Sequence, residues 1–344
     1  MKKLFLVSLI GLIGSSCTSS NPTPQTVVED NTVTVYTYDS LAADYGLFPV
    51  ITDQFETDQG VEINLVTFAD TGTMLNQLMV ERDNPQADVV IGLDNLNFGD
   101  IVAYDLLAPY RPQRADDLDE ALLFDETFTL TPFDYGYVGF VYDTEAITFA
   151  EPISLEELAS NEAYTDKIII EQAGLSSPGT QLMVWARAAL GDSEVNAFAE
   201  QLADQVLTVA PDWNTAYYSM FLNGEAPIVL SYLTSPAYHI DQEATDRYQA
   251  IPMSDGYVRQ VEGMGIVRGT NSLVAAQALV DYLLSDPVQN KIPTTQWMWP
   301  VLGDDSTWPE AYQQIITPAD QAILTSSYDA TWLADWNQAF GIQS

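Results

Sequence analysis

The residues in this chain that could do chemistry are aromatic and hydroxylic rather than nucleophilic or metal-binding. The 344 residues include one histidine, His239, and one cysteine, Cys17. A Ser-His-Asp or Cys-His site would have to use His239, and zinc needs clustered His and Cys that do not exist here. There is no G-x-S-x-G turn, P-loop or G-x-G-x-x-G fingerprint. Asp94-Asn-Leu-Asn-Phe-Gly-Asp100 does not have the EF-hand spacing. Paired carboxylates for glycoside hydrolysis stay formally open among 49 acidic residues, without a motif behind them. What recurs is aromatic residues beside small polar ones: Tyr36-Thr-Tyr38-Asp39-Ser40, Trp213 with Tyr217, Tyr232-Leu233-Thr234-Ser235-Pro-Ala-Tyr238-His239, and Trp297-Met-Trp299-Pro300. Aromatic faces hold flat rings by stacking and hold cations through the ring quadrupole. Ser176-Ser177-Pro178-Gly179 precedes a helical pattern. It reads either as an anion site at a helix N-terminus or as a plain cap, with Ser177 capping and Pro178 at the first helical position.

The elements that must position these residues alternate along the chain. Thr32–Tyr38 reads as a strand, Leu47–Gln59 as a helix stopped by Gly60, and Val61–Phe68 as a strand. Within Thr73–Arg82, Met74, Leu75, Leu78 and Met79 share a helical face. Ala87–Leu93 is a continuous apolar run, as expected of a strand covered on both faces. Phe133–Tyr142 is strongly β-prone, and Ser154-Leu-Glu-Glu157 has the form of a capping box. The alternation continues through Lys167–Glu171, Gln181–Leu190, Pro227–Tyr232, Val258–Val267 and Ser272–Leu284. This is an α/β pattern and predicts a largely parallel sheet. It fits two lobes joined by strand-like crossings, with a ligand between them where strand C-termini meet helix N-termini.

Composition narrows the partners. Asp and Glu number 49 against 11 Lys and Arg, giving a formal charge of -38. Such a field opposes nucleic acid, whose phosphates are bound by Lys and Arg. With 47% hydrophobic residues the chain still buries a substantial core. The first residues form an export signal: Lys2 and Lys3, an apolar run Leu4–Ile13, and Gly14-Ser15-Ser16 before Cys17. The apolar run is too short to span a bilayer. A small-residue cleavage site ending on a lone Cys resembles a bacterial lipoprotein signal, which makes Cys17 the lipidated N-terminus of an exported protein, periplasmic or at the cell surface, on a membrane anchor. Residues 18–31 then form a Pro/Ser/Thr-containing tether.

The segments VYTYDSLAADYG (35–46), ADVVIGLDN (87–95), FDYGYVGFVYD (133–143), LSYLTSPAYHI (230–240) and IPTTQWMWPV (292–301) resemble, in order and spacing, those of the thiamine-binding proteins of bacterial ABC importers. The likeness covers the chain from about Thr32 onward. It implies a two-lobed, type II periplasmic-binding-protein fold, with one lobe built from 32–137 and 257–344 and the other from 138–256. It also implies a monomer without catalytic residues, metal or cofactor, which captures thiamine (vitamin B1) or its phosphate esters and passes it to a membrane permease and its ATPase. On the matching positions, Tyr38, Tyr238 and Trp297 pack around the rings, and Asp70 and Thr71 contact the ligand. Ser176, Ser177, Trp213 and Tyr232 to Ser235 surround the hydroxyethyl or phosphate tail. Tyr217 lies beside Trp213, and Asp39 or Asp70 supplies a carboxylate for the cation. The segment Glu171-Gln-Ala-Gly-Leu175 carries no Lys or Arg, a departure from the family that bears on phosphate. The architecture alone also admits a binding protein for another cationic solute, such as a polyamine, or a secreted glycan-active enzyme.

Overall fold

The computed structural model describes residues 31–318, 322–323 and 328–342. The leader, Cys17 and most of the tether lie outside the described residues. Twelve strands run through the described chain: β1 (Thr32–Tyr38), β2 (Glu62–Phe68), β3 (Val89–Asp94), β4 (Leu107–Ala108), β5 (Thr131–Asp143) and β6 (Ile168–Glu171) come first. They are followed by β7 (Val206–Ala210), β8 (Ile228–Tyr232), β9 (Tyr248–Ala250), β10 (Tyr257–Val267), β11 (Trp299–Pro300) and β12 (Ala322–Ile323). Their main order is β2-β1-β3-β10-β5-β8-β6-β7.

The expected parallel pairing holds at each end of this order, where β1 pairs with β2 and β3, and β6 pairs with β7 and β8. The middle is different. The long strands β5 and β10 run antiparallel to each other and to their outer neighbours, β8 and β3. The sheet is therefore mixed: two parallel cores joined by a pair of crossing strands. A thirteen-residue strand such as β5 can cross because all of its side chains except Tyr135 are buried and the pleat sends them alternately to both faces.

Each lobe is a three-layer sandwich. In the first, Val33, Val35, Val89 and Ile91 face the helices Phe48–Gln59 and Leu273–Leu283. Tyr36, Val90 and Leu93 face Met74, Leu75 and Leu78 on the helix Thr71–Glu81. In the second, Ile168, Ile170, Ile228 and Leu230 pack under the helices Ser177–Leu190 and Val195–Ala203. Ile169 and Val229 meet Ala216, Tyr217 and Phe221 on the opposite face. Gly60 ends its helix in the left-handed region at φ 66, where glycine carries no Cβ penalty. Ser154 accepts from the Glu157 N–H, so only half of the predicted capping box is seen there. No helix among the described residues is long and apolar enough to cross a membrane.

One assignment needs correction. The helix Ala330–Ala339 does not pack on the first lobe, as a lobe built from 257–344 requires. Its Trp336 ring lies 6.2 Å from Phe198, and Asn337 Nδ2 donates to the Ala173 carbonyl at 3.2 Å. The tail helix buries Trp336 in the second lobe's core, beside Val195–Ala203.

The buried Trp185 packs against Phe140 and Tyr257 at the heart of the second lobe. Trp185→Ala is expected to lower stability by roughly 3–5 kcal/mol in urea denaturation, whereas Val80→Ala, at an 81% exposed position, leaves it nearly unchanged.

Candidate functional site

Strand C-termini from both lobes converge on one cleft. In the first lobe β1 ends at Tyr38, whose ring passes over Gly92. A Cβ at Gly92 would come within 2.4 Å of that ring, and its φ of +102 also favours glycine. Tyr38 Oη donates to Glu262 Oε2 at 2.8 Å. Gln260 Nε2 donates to the other Glu262 oxygen at 2.9 Å, and Gln260 Oε1 accepts from Tyr232 Oη at 3.2 Å. Gln260 and Glu262 lie two apart on β10, so they share a face. One crossing strand thus ties a tyrosine of the first lobe to a tyrosine of the second.

Asp70 makes the second tie. It caps the helix Thr71–Glu81 in a reciprocal box with Thr73, accepting from the Thr71 N–H at 2.7 Å. The same oxygen accepts from the Ser177 N–H at 3.2 Å, across the cleft. Ser177 Oγ donates to Asp94 Oδ2 at 2.7 Å, and the Gly72 N–H donates to the Leu175 carbonyl at 3.0 Å. A Cβ on Gly72 would fall 2.4 Å from the Gly174 carbonyl, so glycine permits this approach. Two helix N-termini therefore share one carboxylate, the arrangement their dipoles favour. The cap reading of Ser177 needs correction. Ser176 is the residue before the helix and makes no side-chain cap bond, while Ser177 is the first helical residue. The anion at that terminus is supplied by the protein.

Around these ties stand the aromatic walls. Trp213 stacks on Tyr217, centroids 5.0 Å apart at 14°, and Trp297 meets Tyr238 edge-on at 5.4 Å and 87°. Tyr217 and Tyr218 lie on a π-helical turn, Thr215–Phe221, in which the Leu222 N–H reaches back to the Tyr217 carbonyl. Such turns are rare and recur at functional sites. Trp297 holds φ 55, a conformation costly for a bulky residue and retained where the surroundings over-determine it. Tyr45 approaches Tyr218 across the cleft mouth at 6.3 Å.

These groups enclose a cavity of about 390 Å³. Tyr38, Asp70, Thr71, Ser177, Trp213 and Tyr217 line it, as do Tyr232, Thr234, Ser235, Tyr238 and Trp297. Three expected residues do not. Asp39 is exposed, because it opens the short helix Asp39–Ala42 and turns outward. Ser176 is buried behind the wall, and Leu233 packs wholly into the second lobe's core. Sequence reading missed Tyr45, Tyr218, Gln242, Thr294, Gln296 and, above all, Glu262. Tyr45 lies inside the YTYDSLAADYG string and Tyr218 beside Tyr217, so both were signalled. Glu262 sits mid-strand without a local cue.

The cavity wall is electrostatically one-sided. Asp70 and Glu262 are its charged members, and no Lys or Arg is among the described lining residues. Behind them Asp94, Glu262 and Asp134 face one another in register across β3, β10 and β5. Burial raises all three, Asp134 to about 8, and the neighbouring Asp134 pushes Glu262 further. Asp70 is pushed up to about 7 by burial, against the hydrogen bonds from Thr71 and Ser177. Glu171, also buried, is raised by desolvation and by Asp70. Among the described residues no set of three side chains gathers to hold a metal. The cavity is built to stack a flat ring and to compensate positive charge.

Two lobes on crossing strands around a ligand-sized cleft define a binding protein of the two-lobed, type II kind. The profile of bacterial extracellular solute-binding proteins matches residues 51–322, and the chain belongs to that family. Among its relatives is the thiamine-binding periplasmic protein of Escherichia coli (strain K12), 37% identical over 311 residues, 89% of this chain and 93% of that one. A solved structure of a periplasmic thiamin binding protein aligns with a TM-score of 0.83 at 35% identity, covering 90% of this chain and 96% of that one. A putative spermidine/putrescine ABC transporter structure from Listeria monocytogenes shares the fold, with a TM-score of 0.69 at 14% identity over 90% of this chain and 98% of its own.

The raised Asp70 has a signed consequence. Its folded pKa, about 7, lies above the ordinary value of 3.8, so the folded protein holds a proton there that the unfolded chain has lost. That contribution is complete below the lower value and is lost as pH rises through the upper one. Melting temperatures are expected to fall over this window, and Asp70→Asn, which keeps the cap oxygen, is expected to flatten the slope.

Proposed function

We propose that this protein is the substrate-binding component of an ABC importer and captures thiamine outside the membrane. The observation that carries the reading is the cavity itself, walled by Tyr38, Trp213, Tyr232, Tyr238 and Trp297, with Glu262 and Asp70 as its charged groups. Thiamine pairs a permanently cationic thiazolium with an aminopyrimidine. The ring faces attract the cation through their quadrupoles, and a carboxylate compensates charge or accepts from the amine. The names of the relatives support the same ligand. Its phosphate esters present the same two rings, so the reading concerns the part they share.

Binding would draw the lobes together about β5 and β10, and the closed form would be what a permease and its ATPase recognise. No bond is made or broken in this cycle, no cofactor is called for, and the protein is not an enzyme. Cys17, as a lipidated N-terminus, would hold it on the outer side of a membrane with residues 18–31 as tether. The dispersed acidity is surface adaptation, since two carboxylates suffice in the cavity.

Calorimetry on the mature chain is expected to show saturable one-to-one binding of thiamine with quenching of tryptophan fluorescence. Absence of heat and of thermal stabilisation at saturating thiamine contradicts the reading, and competition by a polyamine alone would transfer the site to that class. Trp297→Ala is expected to weaken binding roughly thirtyfold, the equivalent of one desolvated cation–π contact of about 2 kcal/mol. Glu262→Gln should cost about 10- to 100-fold, the range of a hydrogen bond to a charged group. Trp332→Ala, which removes a ring stacked on Arg187 away from the cleft, is the control and should leave affinity unchanged.

A further inference from the structure

His239 is almost fully buried, yet it does not line the cavity. Its ring connects two lining residues to the outer surface. Trp213 Nε1–H donates to Ser231 Oγ at 2.8 Å, and the Ser231 and Ser235 hydroxyls are 2.8 Å apart. The Trp213 ring stacks on Tyr217. Tyr217 Oη lies 3.0 Å from His239 Nε2, and His239 Nδ1 lies 2.7 Å from Glu243 Oε2, on a half-exposed side chain.

A carboxylate can only accept, so the ring's Nδ1–H donates to Glu243. In the neutral imidazole that leaves Nε2 as the acceptor for the Tyr217 hydroxyl. A second proton turns Nε2 into a donor aimed at Tyr217, whose own hydrogen then loses its acceptor.

We propose that His239 is a positioning residue for ligand binding: its neutral ring accepts the hydrogen bond of the Tyr217 hydroxyl and so holds the Trp213–Tyr217 wall, and acid removes that acceptor. Burial favours the neutral form and lowers the imidazole below 6.5, against the pull of Glu243. The other titratable groups facing it are the phenols of Tyr217, of Tyr238 on its own helix, and of Tyr248 on β9, whose ring centroid lies 4.5 Å away. Arg247 covers the far side of Tyr248 and is held by Asp143 and Glu145. Among the described residues Glu243 is the carboxylate that bonds the ring.

The ligand readout rests on the thiamine reading, while a ligand-free readout does not. The near-UV circular dichroism of the stacked Trp213–Tyr217 pair and the affinity for thiamine are to be followed between about pH 8 and pH 5 in the wild type, His239→Gln and His239→Phe. Glutamine can accept from Tyr217 and donate to Glu243, so it is expected to preserve both signals and to lack the acid-side loss seen in the wild type. Phenylalanine can do neither and is expected to lose the dichroic signal and about tenfold in affinity. Because Asp70 also titrates near this window, the difference between wild type and His239→Gln isolates the imidazole. Identical pH profiles for those two proteins, or a His239→Phe protein with signal and affinity intact, overturn the proposal. If His239→Phe does not fold, the glutamine comparison decides. If the wild type binds no thiamine, the dichroism decides, and only the ligand assignment falls.

Discussion

Glu262 is a carboxylate buried at the crossing of the two lobes, and among the described residues no cationic side chain pairs with it. Its surroundings divide between donors that favour its charge and carboxylates that oppose it. Tyr38 and Gln260 donate to its two oxygens, and Asp94 and Asp134 flank it in register on the neighbouring strands. Removing a charge from water without a counter-charge is costly, so such a cluster either keeps protons or waits for a cation. Both outcomes follow from one geometry. The raised pKa values describe the cluster without a ligand, and the aromatic cavity above it describes what a ligand must bring.

The crossing strands make this constraint mechanical. Because β10 carries both Gln260 and Glu262, a bond to Tyr38 from the first lobe and a bond to Tyr232 from the second end on the same strand. Asp70 repeats the device at the cleft edge, where one of its oxygens serves the N-termini of helices from both lobes. These polar ties are few and short, and they lie beside two main hydrophobic cores, of which the second also takes in Leu96, Trp299 and Tyr312.

The legible part of the sequence was the part with local signals. Period-two runs and capping residues located the strands and helices to within a few residues, and aromatic residues at strand ends named most of the cavity wall. Tyr38 and Tyr232 were visible because strand termini are where α/β folds place ligands, while the resemblance to the importer proteins implied Trp297, Asp70 and Thr71. Long-range pairing was not visible. Nothing near Glu262 in the chain shows that Asp94 and Asp134 will lie on either side of it, and nothing in SSPG shows that Asp70, more than a hundred residues earlier, will occupy that helix terminus. The same limit explains Asp39, whose place beside Tyr38 in the sequence suggested a cavity role that the helix turn removes. It also explains the tail helix, whose packing partners Phe198 and Ala173 lie far away in the chain.

The account stands on a cation being held between aromatic faces above Glu262. A crystal structure of the mature chain grown with thiamine tests that most directly. The account predicts closed lobes, the ligand's rings against Trp297 and the Tyr38 side of the cleft, and a Glu262 oxygen within hydrogen-bond or ion-pair distance of the thiazolium or the aminopyrimidine amine. Thiamine bound outside the cleft, or within it with both cation and amine turned away from Glu262 and Asp70, would contradict it.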